Sequence, residues 1–197
     1  MFDPEILIKT VGLVGIFLII FAESGLFFGF FLPGDSLLFI AGIFASQGIF
    51  NIYVLIIGCI LFAILGDSVG YFTGKKFGRR FFQTDGRFFK KKYMSQTEQF
   101  YEKHGKYTLI IARFVPIVRT FAPIAAGLGN MNYKSFIIYN VIGGILWVVS
   151  LLSLGYLLGG LITNPDKYIL PIILIIIAIS LLPVFSKGLQ LMRNKSN

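Results

Sequence analysis

The chain has 197 residues, 56% of them hydrophobic, and a mean hydropathy of +0.81, whereas a soluble domain is about 45–50% apolar. The excess lies in charge-free runs at 36–66, 135–165 and 168–186. About 20 apolar residues cross a bilayer core, so a soluble fold is excluded and an all-α polytopic membrane protein is expected. The net charge is +9, with one cysteine, Cys59, and one histidine, His104; this excludes an internal disulfide and any metal centre built on several His or Cys ligands, and no cofactor is expected.

In chain order, the amino terminus carries Asp3 and Glu5 without a basic region, so it does not read as a secretory signal. Segment 6–22 is expected to cross from inside to outside, with Lys9 near its cytoplasmic end. Segment 23–50, interrupted by Pro33-Gly34, is read as a re-entrant hairpin entering from outside. Segment 51–73 then runs inward. Residues 75–106 hold ten of the 18 basic residues, including Arg79-Arg80 and Lys90-Lys91-Lys92. Beside membrane spans such a cluster marks a cytoplasmic loop that touches anionic lipid headgroups, rather than a nucleic-acid site. Segment 107–131, with Pro116 and Pro123, is read as a second hairpin, entering from inside. Segment 135–162 runs outward, 163–167 turns outside, and 168–186 returns, leaving Lys187, Arg193 and Lys195 inside. The expectation is a multi-pass protein of the cell (cytoplasmic) membrane with both termini cytoplasmic. Broken helices at membrane depth survive only where protein or a water-filled cavity surrounds them.

A shift of 85 residues superposes the two halves. Ala41-Gly42 falls on Ala126-Gly127, Gly58 on Gly143, and Gly70-Tyr71 and Gly74 on Gly155-Tyr156 and Gly159. Eleven identities fall between residues 41 and 74, where composition alone gives about three or four. The reading is one membrane domain, 1–197: repeat 1 at about 23–74, a basic segment at 75–106, an inverted repeat 2 at about 107–162, and a transmembrane helix at 168–186. Inverted repeats with broken helices are a transporter architecture. Gly66, Gly70, Gly74 and Gly78 share one helix face and let helices approach closely.

Four charges lie in the hairpins or at their mouths: Glu23, Asp35, Arg113 and Arg119. Each costs at least ~2.5 kcal/mol in a membrane segment, so each must face a cavity, a partner or a substrate. Pairing two acids with two arginines to hold the hairpins together is one reading. The functional reading makes the arginines a receptor for an anion, since a guanidinium binds phosphate bidentately and broken helices offer N–H groups beside it. Glu23 and Asp35 then carry a proton, because burial disfavours a charged carboxyl. Asp35, just after Pro33-Gly34, alternatively caps a half-helix. Asp67, Pro33, Gly34, Pro116, Pro123 and Asn140 are secondary candidates, with Asp67 placed near the cytoplasmic end of its helix.

Taken in order, the motifs are Glu23 followed by FLPGD (31–35), GDxxGYxxGxxxG (66–78), ARFxPxxRTxxPxxAG (112–127), then Met131, Phe136 and the N-x-x-G-x-x-x-W of Asn140, Gly143 and Trp147. Over about residues 10–160 they resemble the DedA family, also called SNARE-associated or VTT-domain proteins. The resemblance implies an inner-membrane lipid transporter. Bacterial members are linked to returning undecaprenyl phosphate across the cytoplasmic membrane, others to phospholipids such as phosphatidylethanolamine and to the proton motive force, while eukaryotic relatives resemble scramblases. The family's functional acids and arginines match Glu23, Asp35, Arg113 and Arg119.

The first expectation is therefore a proton-coupled flippase for a polyisoprenyl phosphate. A phospholipid flippase or scramblase comes second and a proton-coupled ion or small-solute transporter third. A lipid phosphatase needs a nucleophile or base at the phosphate; His104 lies in the basic loop and no Ser-His pair is evident, so no enzyme activity is expected. A homo-oligomer is allowed by the sequence.

Overall fold

A computed structural model describes residues 4–26, 29, 32–82 and 107–161. Most of the basic segment with His104, the 163–167 turn and the 168–186 span lie outside the described residues. Within them all regular structure is helical: α1 (Pro4–Gly25), α2 (Gly34–Ser46), α3 (Ile52–Phe82), α4 (Thr108–Ala112), α5 (Pro116–Leu128) and α6 (Tyr133–Leu161). Two of them contain apolar stretches long enough to cross a bilayer, Ile52–Lys76 and Tyr133–Leu161. Both present exposed apolar side chains, among them Val54, Ile57, Leu61 and Leu65 on α3 and Ile138, Ile142 and Ile145 on α6. Spaced three or four apart, these form one stripe per helix, as a lipid-facing surface requires.

The starts of the two long helices have local causes. Asn51 Oδ1 accepts from the Tyr53 and Val54 amides, at 2.9 and 3.3 Å, and Asn132 Oδ1 accepts from the Lys134 amide at 2.9 Å, so each helix is capped by an asparagine. The same turn precedes each cap. After α2, Gly48 takes a positive φ of 78°, with the Ile49 amide bonded to the Phe44 carbonyl and the Gly48 amide to Ala45. After α5, Asn130 takes φ 49°, with the Met131 amide on Ala126 and the Asn130 amide on Gly127. Both are Schellman closures of a short helix.

Packing pairs each short helix with the long helix of the other half: α2 lies along α6, and α5 along α3. A Cβ on Gly42 would strike the Leu152 carbonyl and the Tyr156 amide, and a Cβ on Gly127 the Tyr71 carbonyl and the Lys75 amide. Gly42 and Gly127 are 85 residues apart, as are Tyr71 and Tyr156. Backbones this close are the lipid-phase packing that small residues permit. Gly66 meets the α1 backbone and Gly74 the α5 backbone in the same way, while Gly70 faces Pro123 and Ile124 of α5 at ordinary contact distance.

Contact order along the helices gives their directions. Phe17 packs on Gly58 and Phe62, and Gly25 on Gly66, so α1 runs in the same sense as α3. Tyr71 stacks on Phe136 while Ile64 lies by Asn140 and Gly144, so α6 runs opposite to α3. The sequence reading sent 6–22 across in the sense opposite to 51–73. Instead α1 is the first arm of a hairpin whose second arm is α2, and its start lies at the same end of the molecule as the start of α3. Lys9 alone was too weak a signal to set that direction. The second hairpin, α4 and α5, opens at the other end.

Two apolar clusters fill the interior. One contains Ile16, Ile20, Leu38, Ala41, Leu55, Cys59, Ala63, Val148 and Leu152; the other contains Tyr71, Leu109, Ala112, Ala122, Ala126, Met131 and Phe136. The boundary between them falls about halfway along α3 and α6, where both hairpins turn.

Candidate functional site

Every charged side chain that the sequence singled out sits at that boundary, because each hairpin arm ends or starts there. Glu23 lies on the last turn of α1 and Asp35 on the first turn of α2. Arg113 immediately follows α4. Val115 is extended, and Pro116 occupies the first position of α5, where its missing N–H would be unpaired anyway. Arg119 follows one turn later. Pro123 cannot donate back to the Arg119 carbonyl, which loosens the helix at the arginine. Pro116 starts a half-helix and Pro123 sits inside it, so the sharp break of the second hairpin falls at Pro116.

Arg119 joins the hairpins. Its Nη2 bonds Glu23 Oε1 and its Nη1 bonds Asp35 Oδ1. Asp35 Oδ1 also accepts from the Trp147 indole N–H at 2.7 Å. The guanidinium lies over the Trp147 ring, 4.8 Å from its centroid, within the range of a cation–π contact. Glu23 is 1% exposed, whereas the Asp35 side chain is 41% exposed. The second Glu23 oxygen lies against the Gly34 backbone and occupies the place a Cβ would take on that residue. The Pro33-Gly34 turn therefore leaves room for a carboxylate.

Arg113 forms a separate station. Its Nη2 bonds both Asp67 Oδ2 and Asn140 Oδ1, and Asn140 Nδ2 reaches the Ile64 carbonyl at 3.4 Å. Arg113 is 6% exposed and Asp67 5%, so Arg113 does not snorkel to an interface. Gly143 and Gly144 pack against its stem and head. A cleft between the stations is lined by Asp67, Leu109, Arg113, Arg119, Ala122, Pro123, Phe136 and Asn140, with room for about one water. A phosphate enters this arrangement only if the ion pairs separate.

Sequence reasoning balanced two acids against two arginines. The structure adds Asp67, giving three carboxylates and two guanidiniums. Asp67 sits well inside α3, which continues to Phe82, and not near a helix end. Trp147 was seen only as part of a motif; its position at the middle of α6, inside the charge-free run 135–165, gave no sign of polar partners. Among the described residues no cluster of three or more His, Cys, Asp or Glu is arranged to hold a metal.

Comparison with known proteins adds the following. A family model described as the VTT domain matches residues 32–157. Protein DedA of Escherichia coli strain K12 is 47% identical over 171 residues, 85% of this chain and 78% of that protein. An uncharacterized membrane protein of Mycobacterium leprae is 41% identical over 181 residues, 91% of this chain and 81% of the relative. The inner membrane protein YqjA of Escherichia coli strain K12 is 37% identical over 145 residues, 73% and 66% of the two chains. No solved structure matches the chain.

Proposed function

As the chain belongs to the VTT-domain, or DedA, family of membrane proteins, we propose that it moves a phosphate-headed lipid, undecaprenyl phosphate first among the candidates, across the cytoplasmic membrane. The observation that carries this reading is the convergence of Arg113 and Arg119 at mid-depth, each held by carboxylates. A buried ion pair is not needed for stability, since apolar replacements often serve as well; two arginines kept there need another task. Phosphate is the ligand that matches a planar, permanently charged fork.

On this reading the head group displaces acids from arginines. Glu23 and Asp35 accept protons as they release Arg119, which ties the exchange to the proton gradient. The lipid tail stays in the bilayer beside the exposed faces of α3 and α6. The basic segment 75–106 holds anionic headgroups at the cytoplasmic surface. Alternating access comes from one half moving against the other, as in other inverted-repeat carriers. The protein acts as a carrier and not as an enzyme.

The test is reconstitution into liposomes with a fluorescent polyisoprenyl phosphate, with and without a pH gradient. Protein-dependent movement, faster with the gradient and absent in Arg119→Ala that still inserts, is the expected result. Movement of a labelled phospholipid instead moves the assignment to that lipid at the same site. If neither lipid moves, lipid transport is withdrawn and proton-coupled movement of an ion or small solute becomes the reading to test.

A further inference from the structure

We infer that Trp147 is a positioning residue that holds Asp35 in place while Arg119 is handed to the ligand; this rests on the lipid-phosphate reading above. Trp147 comes from the middle of α6 and is 2% exposed. Its N–H and Arg119 Nη1 bond the same oxygen, Asp35 Oδ1. Its ring faces both guanidiniums, 4.8 Å from Arg119 and 6.0 Å from Arg113. Its ring thus lies beside both arginine stations.

The consequence follows from counting donors. At rest Asp35 Oδ1 has two donors, one charged and one neutral. When a phosphate takes Arg119, the charged donor leaves. Without the indole, Asp35 Oδ1 keeps no side-chain donor once Arg119 leaves, and its carboxyl, protonated or not, is free to turn toward solvent, since the side chain is 41% exposed. With the indole, one hydrogen bond persists through the exchange and keeps Asp35 on the first turn of α2, ready to recapture the arginine. The ring meanwhile remains a flat wall along which a guanidinium shifts without losing its cation–π partner. Phenylalanine would keep the wall and lose the donor; leucine would lose both.

The experiment compares wild type, Trp147→Phe and Trp147→Leu in liposomes carrying fluorescent polyisoprenyl phosphate, with thermal unfolding of each measured in the same lipid. Trp147→Phe is expected to unfold within a few degrees of wild type, to transport about tenfold more slowly at saturating lipid, and to change half-saturation less than about twofold. Trp147→Leu is expected to lose maximal rate and to need more lipid for half-saturation. Equal rates for Trp147→Phe and wild type would overturn the role of the indole N–H. Losses in proportion to the unfolded fraction would make Trp147 a packing residue and overturn the inference too.

Should wild type move no lipid, the transport reading fails while the arrangement is still tested. Trp147 is the single tryptophan of the chain, so its fluorescence reports its own neighbours without any ligand. Asp35→Asn and Arg119→Gln are each expected to shift its emission. An unchanged spectrum in both would overturn the contact on which the inference stands.

Discussion

Removing Asp67 tests whether the Arg113 station is a true buried ion pair. Arg113 and Asp67 have side chains only 7% and 6% exposed. In Asp67→Ala the guanidinium stays buried against Gly143 and Gly144 and keeps Asn140 Oδ1 as an acceptor. Breaking a buried pair by removing one member costs about 3–5 kcal/mol, because the other charge is left uncompensated. For a chain of this length that corresponds to a fall in melting temperature of roughly 6–20 °C. Asp67→Asn keeps the shape and one acceptor and is expected to fall between wild type and alanine. The double variant Asp67→Leu with Arg113→Met removes both charges and is expected to recover at least half of the loss, since apolar replacement of a whole buried pair is often neutral or better. Thermal unfolding of all four proteins in lipid nanodiscs measures these losses. A loss below about 1 kcal/mol for Asp67→Ala, or a double variant no better than the alanine single, would refute the argument.

Other consequences follow from the packing and the helix directions. Gly127→Ala places a methyl group on the Tyr71 carbonyl and is expected to cost at least about 1–3 kcal/mol, whereas Gly160→Ala, with nothing near its Cβ, is expected to be neutral; the same unfolding assay compares them. Gly34→Ala pushes against the Glu23 carboxylate rather than against another helix, so transport is expected to fall more than stability, with both measured on one preparation. In a Cys59→Ala background, Gly48→Cys and Asn130→Cys, both at exposed turns, are expected to react with an impermeant thiol reagent from opposite faces of the membrane. A tag ahead of Pro4 is expected to be accessible from the same face as Gly48, and access from the face of Asn130 would contradict the parallel course of α1 and α3.

The physics of the bilayer explains what was legible in the chain. Glu23, Asp35, Arg113 and Arg119 stood out because each interrupts an apolar run, and the insertion cost of a charge leaves few places for it to go. The repeat was readable because Gly42 and Gly127 are fixed by backbone-to-backbone contact, which tolerates no side chain. Asp67 was undervalued because α3 carries on past the apolar stretch into basic residues, so distance from the charged end misjudged its depth. Trp147 was hidden because an aromatic in a charge-free run looks like any other core residue until its partner, 112 positions away, is placed beside it. The direction of α1 was misread because charge counting reports which side a loop lies on, and the decisive contacts of Phe17 and Gly25 with α3 are long-range.

The most direct measurement of the central claim is where the phosphate sits. A polyisoprenyl phosphate analogue with a photoreactive group next to the phosphate is incorporated with the protein in nanodiscs, irradiated, and the labelled peptides are sequenced. Labelling within 107–131 or at the facing turns around Glu23 and Asp35, suppressed by unlabelled polyisoprenyl phosphate and lost in Arg119→Gln, is the predicted result. Labelling spread over the exposed faces of α3 and α6 and unchanged in Arg119→Gln would contradict it, and would leave the two arginines as parts of the scaffold alone.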